Sequence, residues 1–164
     1  MSATDAAINI MIQMLRSDSV LSLPNGSGPS QNPAGVKGEV HQGSADSEAE
    51  GIFPRDVEYP AIAIVPQSSI NANTLGTGRV IMTTGQVLVK IVTVGLSMTT
   101  ERRIAERVRV VLLGLRRKTY QRAPGETTYY VSEAVETSEL YQPATTKGDR
   151  LYRYKNLVYR VTGQ

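Results

Sequence analysis

Apolar residues fall at Ile8, Met11, Ile12 and Leu15, the i, i+3, i+4, i+7 spacing of one helical face, and predict a helix from about Asp5 to Ser17. Thr4 is placed to cap it, and Asp5 suits the positive end of the helix dipole. Ile10 and Met14 make a second, smaller apolar patch. That patch is read either as deeper burial within the same domain or as a surface packed on a neighbouring subunit. A second helix is predicted over Thr99–Lys118, where Ile104, Ala105, Val108, Val111, Leu112 and Leu115 trace a 3.6-period stripe. Thr99 or Thr100 can cap it and Glu101 lies in its first turn. Arg116, Arg117 and Lys118 fall in its last turn, where cations suit the negative end. Its outer face carries Arg102, Arg103, Glu106, Arg107 and Arg109.

Between and after these helices the period changes to two. Tyr59–Val65 (YPAIAIV) is a short apolar run closed by Pro66, the pattern of a buried strand, with Pro60 at the start where a strand tolerates proline. The polar stretch QSSINANTLGTG reads as a loop or the tip of a hairpin. Arg79–Val94 is dense in β-branched residues and predicts strand, with Gly85 as a bulge or turn in its middle. Val87, Val89 and Ile91 share one side of it; Gln86, Leu88 and Lys90 share the other, which Val92 and Val94 extend. A sheet covered by helices on one side fits that pattern. Thr127–Glu136 and Gly148–Thr162 supply two further strands. In the latter, Tyr152 and Tyr154 have one parity and Leu157, Tyr159 and Val161 the other, which predicts a phase-flipping bulge near Lys155-Asn156. Pro24–Gly51 is about half Gly, Pro, Ser and Asn and reads as a long mobile loop, with a short hairpin near Val36–Val40. No internal repeat is visible.

Composition narrows the function more than it defines it. The 164 residues suffice for one domain with one core. Cysteine is absent, which removes disulfides and thiolate metal sites. A net charge of +3 is mildly basic and short of the clustered excess of a dedicated nucleic-acid binder. No segment approaches the roughly 20 apolar residues of a membrane span, and the N-terminus lacks the pattern of a secretory signal. Synthesis in the cytoplasm, with no membrane partner, is the expectation.

The search for chemistry returns no catalytic, metal or cofactor site. The single histidine, His41, lies in the loop-like stretch and reads as solvated. There is no phosphate-binding Gly-rich loop ending in Gly-Lys, and Gly76-Thr-Gly78 precedes a strand rather than a helix. Glu133, Glu136 and Glu139 read as a solvated strand edge. The arginine face of the second helix is open to three readings: a solubilising outer face, inter-protein salt bridges, or phosphate contact. The tyrosines, eight against one phenylalanine and no tryptophan, concentrate in the last two strands (Tyr129, Tyr130, Tyr152, Tyr154, Tyr159). An apolar ring with a polar tip suits either sheet packing or a surface buried against a partner.

Two stretches, GIFPRDVEYPAIAIV and KIVTVGLSMTTERRIAERVRVVLLGL, together with the closing YRYKNLVYRVTG, resemble the tail terminator (tail completion) proteins of long-tailed bacteriophages. The likeness covers most of the chain outside Pro24–Gly51. It implies one α/β (α+β) domain over residues 1–164: a mixed, mostly antiparallel curved sheet, two helices packed on one face, and 24–51 as a flexible Pro/Gly/Ser-rich loop. It further implies a non-enzymatic virion subunit of the tail or neck. Six copies form a ring that caps the tail tube protein and meets a head-side connector or stopper protein, and DNA passes through the lumen without specific binding. Other phage neck proteins (head completion or adaptor subunits) and a small basic nucleic-acid-binding protein are the alternatives. A closed ring needs two different patches per copy. The second helix and a terminal strand edge are expected to supply them, through Arg102, Arg103, Arg107, Arg109, Arg116, Arg117, Tyr129, Tyr152, Tyr154 and Tyr159.

Overall fold

The N-terminal helix α1 (Ala3–Ser17) begins two residues before the expected start, because Ser2 and not Thr4 caps it. The Ser2 hydroxyl accepts from the Asp5 N–H at 3.2 Å, and the Asp5 carboxylate accepts from the Ser2 N–H at 2.7 Å. This reciprocal box satisfies two backbone donors that the first turn would otherwise leave open. Thr4 is thereby turned inward and buried. Ile8, Met11 and Leu15 are buried as the stripe requires, and Ile10 joins the same core with Met14 packed at its margin. The second patch of α1 is used inside the domain.

The structure, a computed structural model, describes residues 2–21, 36, 39–43, 53, 57–73, 80–95 and 98–164. Most of the expected 24–51 loop lies outside the described residues. After α1 come β1 (Val40–Gln42), β2 (Ala61–Asn73), β3 (Val80–Val94), helix α2 (Met98–Leu112), β4 (Arg116–Tyr120), β5 (Tyr129–Leu140), β6 (Thr145–Lys147) and β7 (Arg150–Gly163). They form one α+β domain with a curled, mixed, seven-stranded sheet in the order β1-β2-β3-β7-β5-β4. β6 pairs with the start of β7 on the edge that β5 occupies further along. Only β1–β2 is parallel among the described pairs; the rest are antiparallel.

Both helices lie on one face. Ile62 and Ile64 of β2, Val87, Val89 and Ile91 of β3, and Leu157, Tyr159 and Val161 of β7 meet α1 and the Ile104, Ala105, Val108 and Leu112 side of α2 in one core. Burial of a large apolar side chain contributes about 1.5–3 kcal/mol relative to exposure, so this layer dominates the stability.

Several local expectations are corrected. β7 pairs with β3 without a break from Tyr152 to Gly163, so no bulge exists near Lys155-Asn156. The two parities simply serve two buried faces. Tyr152 and Tyr154 join Phe53, Ala61, Ala63, Val65 and Val92 in a smaller core on the face away from the helices. The mixed side of β3 is therefore largely covered at this end. β3 also runs straight through Gly85. A side chain there would collide with Thr4 of α1, so the glycine admits the helix, and the bulge is in β2, between Pro66 and Ser68. β2 accordingly continues through Pro66 to Asn73 in place of ending at Val65. The short element near Val36–Val40 is not a hairpin: β1 adds in parallel to β2. α2 stops at Leu112 and turns at Leu113-Gly114, so Arg116, Arg117 and Lys118 belong to strand β4, not to a last helical turn. Leu115 is still buried, from the turn.

Candidate assembly surface

α2 presents Arg102, Arg103, Glu106, Val110 and Leu113 outward, all exposed. The first part of this face is charged. Its end is apolar, with Val110 56% and Leu113 65% exposed. The sequence stripe assigned neither residue to the core, and their positions off that stripe were the available signal for an apolar outer patch.

The arginines divide into two groups. Arg107 and Arg109 are engaged within the chain. Arg107 donates to Asp18 from Nε at 2.9 Å and from Nη2 at 2.5 Å, and Asp18 also accepts from the Leu21 N–H at 3.0 Å. The Arg107 guanidinium holds the Asp18 carboxyl below the usual carboxylate range, against the opposing effect of burial. Arg109 makes a two-point contact with Glu136 (2.8 and 2.9 Å) and reaches Glu139 at 2.9 Å. Lys155 also bonds Glu139 and, with Arg109, lowers its pKa. Glu136 and Glu139, expected as a solvated edge, thus anchor α2 to the sheet. Arg116 and Arg117, by contrast, stand exposed on β4, and Arg117 holds a left-handed backbone at φ 52°.

The tyrosines also divide. Tyr159 is buried beneath α2 beside Glu136, and burial pushes its hydroxyl up to about 12. Tyr152 and Tyr154 fill the opposite face. Tyr152 stacks edge-on with Tyr59 at 5.7 Å, and the Tyr154 hydroxyl pairs with Thr145 Oγ1 at 2.7 Å. Lys90 Nζ lies 5.0 Å from the Tyr154 ring centre, and burial lowers its pKa. Tyr129 is half-buried at the margin of the main core. The greater part of the tyrosine surface therefore goes to sheet packing within the chain.

His41 is placed differently from the solvated loop histidine expected. It sits in β1, with Nε2 2.6 Å from Glu39 Oε2 and its ring edge-on to Phe53 at 6.1 Å. Among the described residues no group of three or more His, Cys, Asp or Glu side chains is arranged to hold a metal ion. The concavities on the surface are open. One, of about 360 Å³, lies between the end of α2 and β5 and is lined by Arg109, Leu113, Arg116, Val135 and Tyr159, among others.

No protein-family model matches the chain, and no curated protein sequence matches it. A solved structure does. A chain from the virion of a native gene transfer agent particle superposes with a TM-score of 0.56 at 14% identity, covering 99% of this chain and 97% of that one. The chain has the fold of a virion protein. At that identity the sequences have diverged far beyond any shared side-chain pattern. What the two have in common is the whole course of the backbone from α1 to β7, with no segment of either chain of appreciable length left over.

Proposed function

We propose that the protein is a structural subunit of a phage-type virion, of the tail terminator kind. In this reading copies close into a ring that caps the tail tube and joins it to the head-side connector, leaving a channel for DNA. The observation that carries the reading is the end-to-end fold match with a chain of a virion particle. The sequence resemblance supports it independently, through the strand–Thr-Thr-Glu–helix unit that became β3 and α2. The polar side chains are consistent with a structural role: Arg107, Arg109, Glu136 and Glu139 tie elements together.

The contact surface proposed here is the outer face of α2 with β4. Arg102, Arg103, Arg116 and Arg117 supply its charge and Val110 and Leu113 its apolar area, with Tyr129 at the margin. Arg107, Arg109, Tyr152, Tyr154 and Tyr159 act indirectly, by fixing that surface. Electron micrographs of the purified protein should show closed rings, and the rings should co-sediment with tail tubes in preference to DNA-filled heads. Arg102→Glu with Arg103→Glu should weaken ring formation about tenfold or more in light scattering, since like charge across an interface costs several kcal/mol. Monomers at every concentration, with no incorporation into virions, would refute the reading.

A further inference from the structure

The two edges of the sheet are unlike. At one edge β1 is three residues long, and its Val40 carbonyl is taken by Arg16 of α1, from Nε at 2.9 Å and Nη2 at 2.6 Å. That edge is closed by the chain's own helix. At the other edge lies β4, with Arg116 to Thr119 all exposed. β4 covers only the first part of β5. Its register ends at Arg116 opposite Glu133, followed by one bond from the Ala134 N–H to the Leu115 carbonyl at 3.2 Å. Beyond that point no strand among the described residues pairs with the outer side of β5, and the open groove beside Leu113 and Val135 begins there. An extended segment can add to such an edge by main-chain hydrogen bonding.

Charge decides what that segment can be. Arg116, Arg117 and Lys118 form no ion pair among the described residues, whereas Arg109 is already neutralised by Glu136 and Glu139. Two copies of β4 laid against each other would set three cations against three cations, which disfavours a two-fold contact. A segment bearing carboxylates is favoured. The chain carries such a segment far from β4. Residues 1–60 hold eight acidic and three basic side chains, a net of −5; residues 61–164 hold seven and fifteen, a net of +8; together they make the +3 of the whole. The described acids Glu39 and Glu58 stand just ahead of β1 and β2, the pair of strands farthest from β4 in the sheet order.

We infer that the basic β4 edge of one copy receives the acid-rich first third of a second copy. Copies then join head to tail with a single polarity, the kind of contact that closes into a ring and cannot stop at a two-fold dimer. This rests on the reading that copies of the chain associate, and it specifies the two surfaces that meet.

The test is a photo-activatable cross-linking residue in place of the exposed Thr119 in the full chain, with the cross-linked peptides identified by mass spectrometry. The expected product is a ladder of multimers in which Thr119 is joined to a peptide within residues 1–60 of another copy. The ladder should fade as salt rises from about 0.05 to 0.5 M. It should be lost in Arg116→Glu/Arg117→Glu/Lys118→Glu, with circular dichroism confirming the fold. If that variant does not fold, the cross-link map of the otherwise wild-type chain and its salt dependence decide. Cross-links confined to residues 61–164, or undiminished assembly of the folded triple variant, would overturn the inference and leave the ring reading standing. Assembly unchanged but DNA binding lost in the triple variant would also overturn it, making this edge a nucleic-acid surface. Failure of the wild-type chain to associate at all would instead sink the ring reading itself.

Discussion

Asp18 joins three parts of the molecule at one carboxylate: it ends α1, accepts from the Leu21 N–H, and receives both ends of the Arg107 fork from α2. Its side chain is only 9% exposed, so the ion pair is better sheltered than an ordinary surface bridge. Asp18→Asn or Arg107→Ala should each lower stability by about 1–2 kcal/mol, as for other hydrogen bonds to charged groups, measured by urea denaturation. The direction with pH follows from the lowered carboxyl pKa. The contribution is fully present above the pKa of a free aspartate and is lost as pH falls through the lower, folded value. The Asp18→Asn variant should therefore lose less stability than the wild type between neutral pH and about pH 3. Nothing in the sequence pairs residue 18 with residue 107. Gly85 is similar: it could be read as a break in the strand, but the contact with Thr4 that requires a glycine is 81 positions away in the chain.

Elements were legible where one period held and one face was buried. The α1 stripe and the Ile104–Leu112 stripe of α2 are of this kind. Three elements failed for identifiable reasons. The run Arg116-Arg117-Lys118 suits a helix C-terminus as well as an exposed edge strand, and only the turn at Gly114 separates the two. β7 alternates apolar residues on both parities because both of its faces are buried, and a one-faced assumption turns that into a bulge. β1 is too short and too polar to announce itself, and β2 supplies the pairing that makes it a strand. The assembly surface was half legible: the outward arginines of α2 were evident, while the internal use of Arg107 and Arg109 and the exposed Val110 and Leu113 were not. The turns follow local rules more closely. Gly148, at φ 62°, is the first central residue of the two-residue hairpin between β6 and β7, a position that favours glycine. Gly148→Ala should cost about 1 kcal/mol, read as a lower urea midpoint with an unchanged slope.

At the scale of the whole molecule, the proposed ring must let DNA slide, so the basic surface should not grip it. Binding to duplex DNA should be about micromolar or weaker at physiological salt and steeply salt-dependent; a nanomolar complex in a gel-shift assay at that salt would contradict this. A second consequence comes from the sheet order. β7 is flanked by β3 on one side and by β5 and β6 on the other, although it follows all of them in the chain. During translation, every earlier strand therefore waits for a keystone that emerges after it, and α1, made first, has only part of its bed until then. A subunit interrupted before Arg150 lacks the strand that unites the two halves, so prematurely ended chains should be left unfolded and excluded from the assembly that complete ones enter.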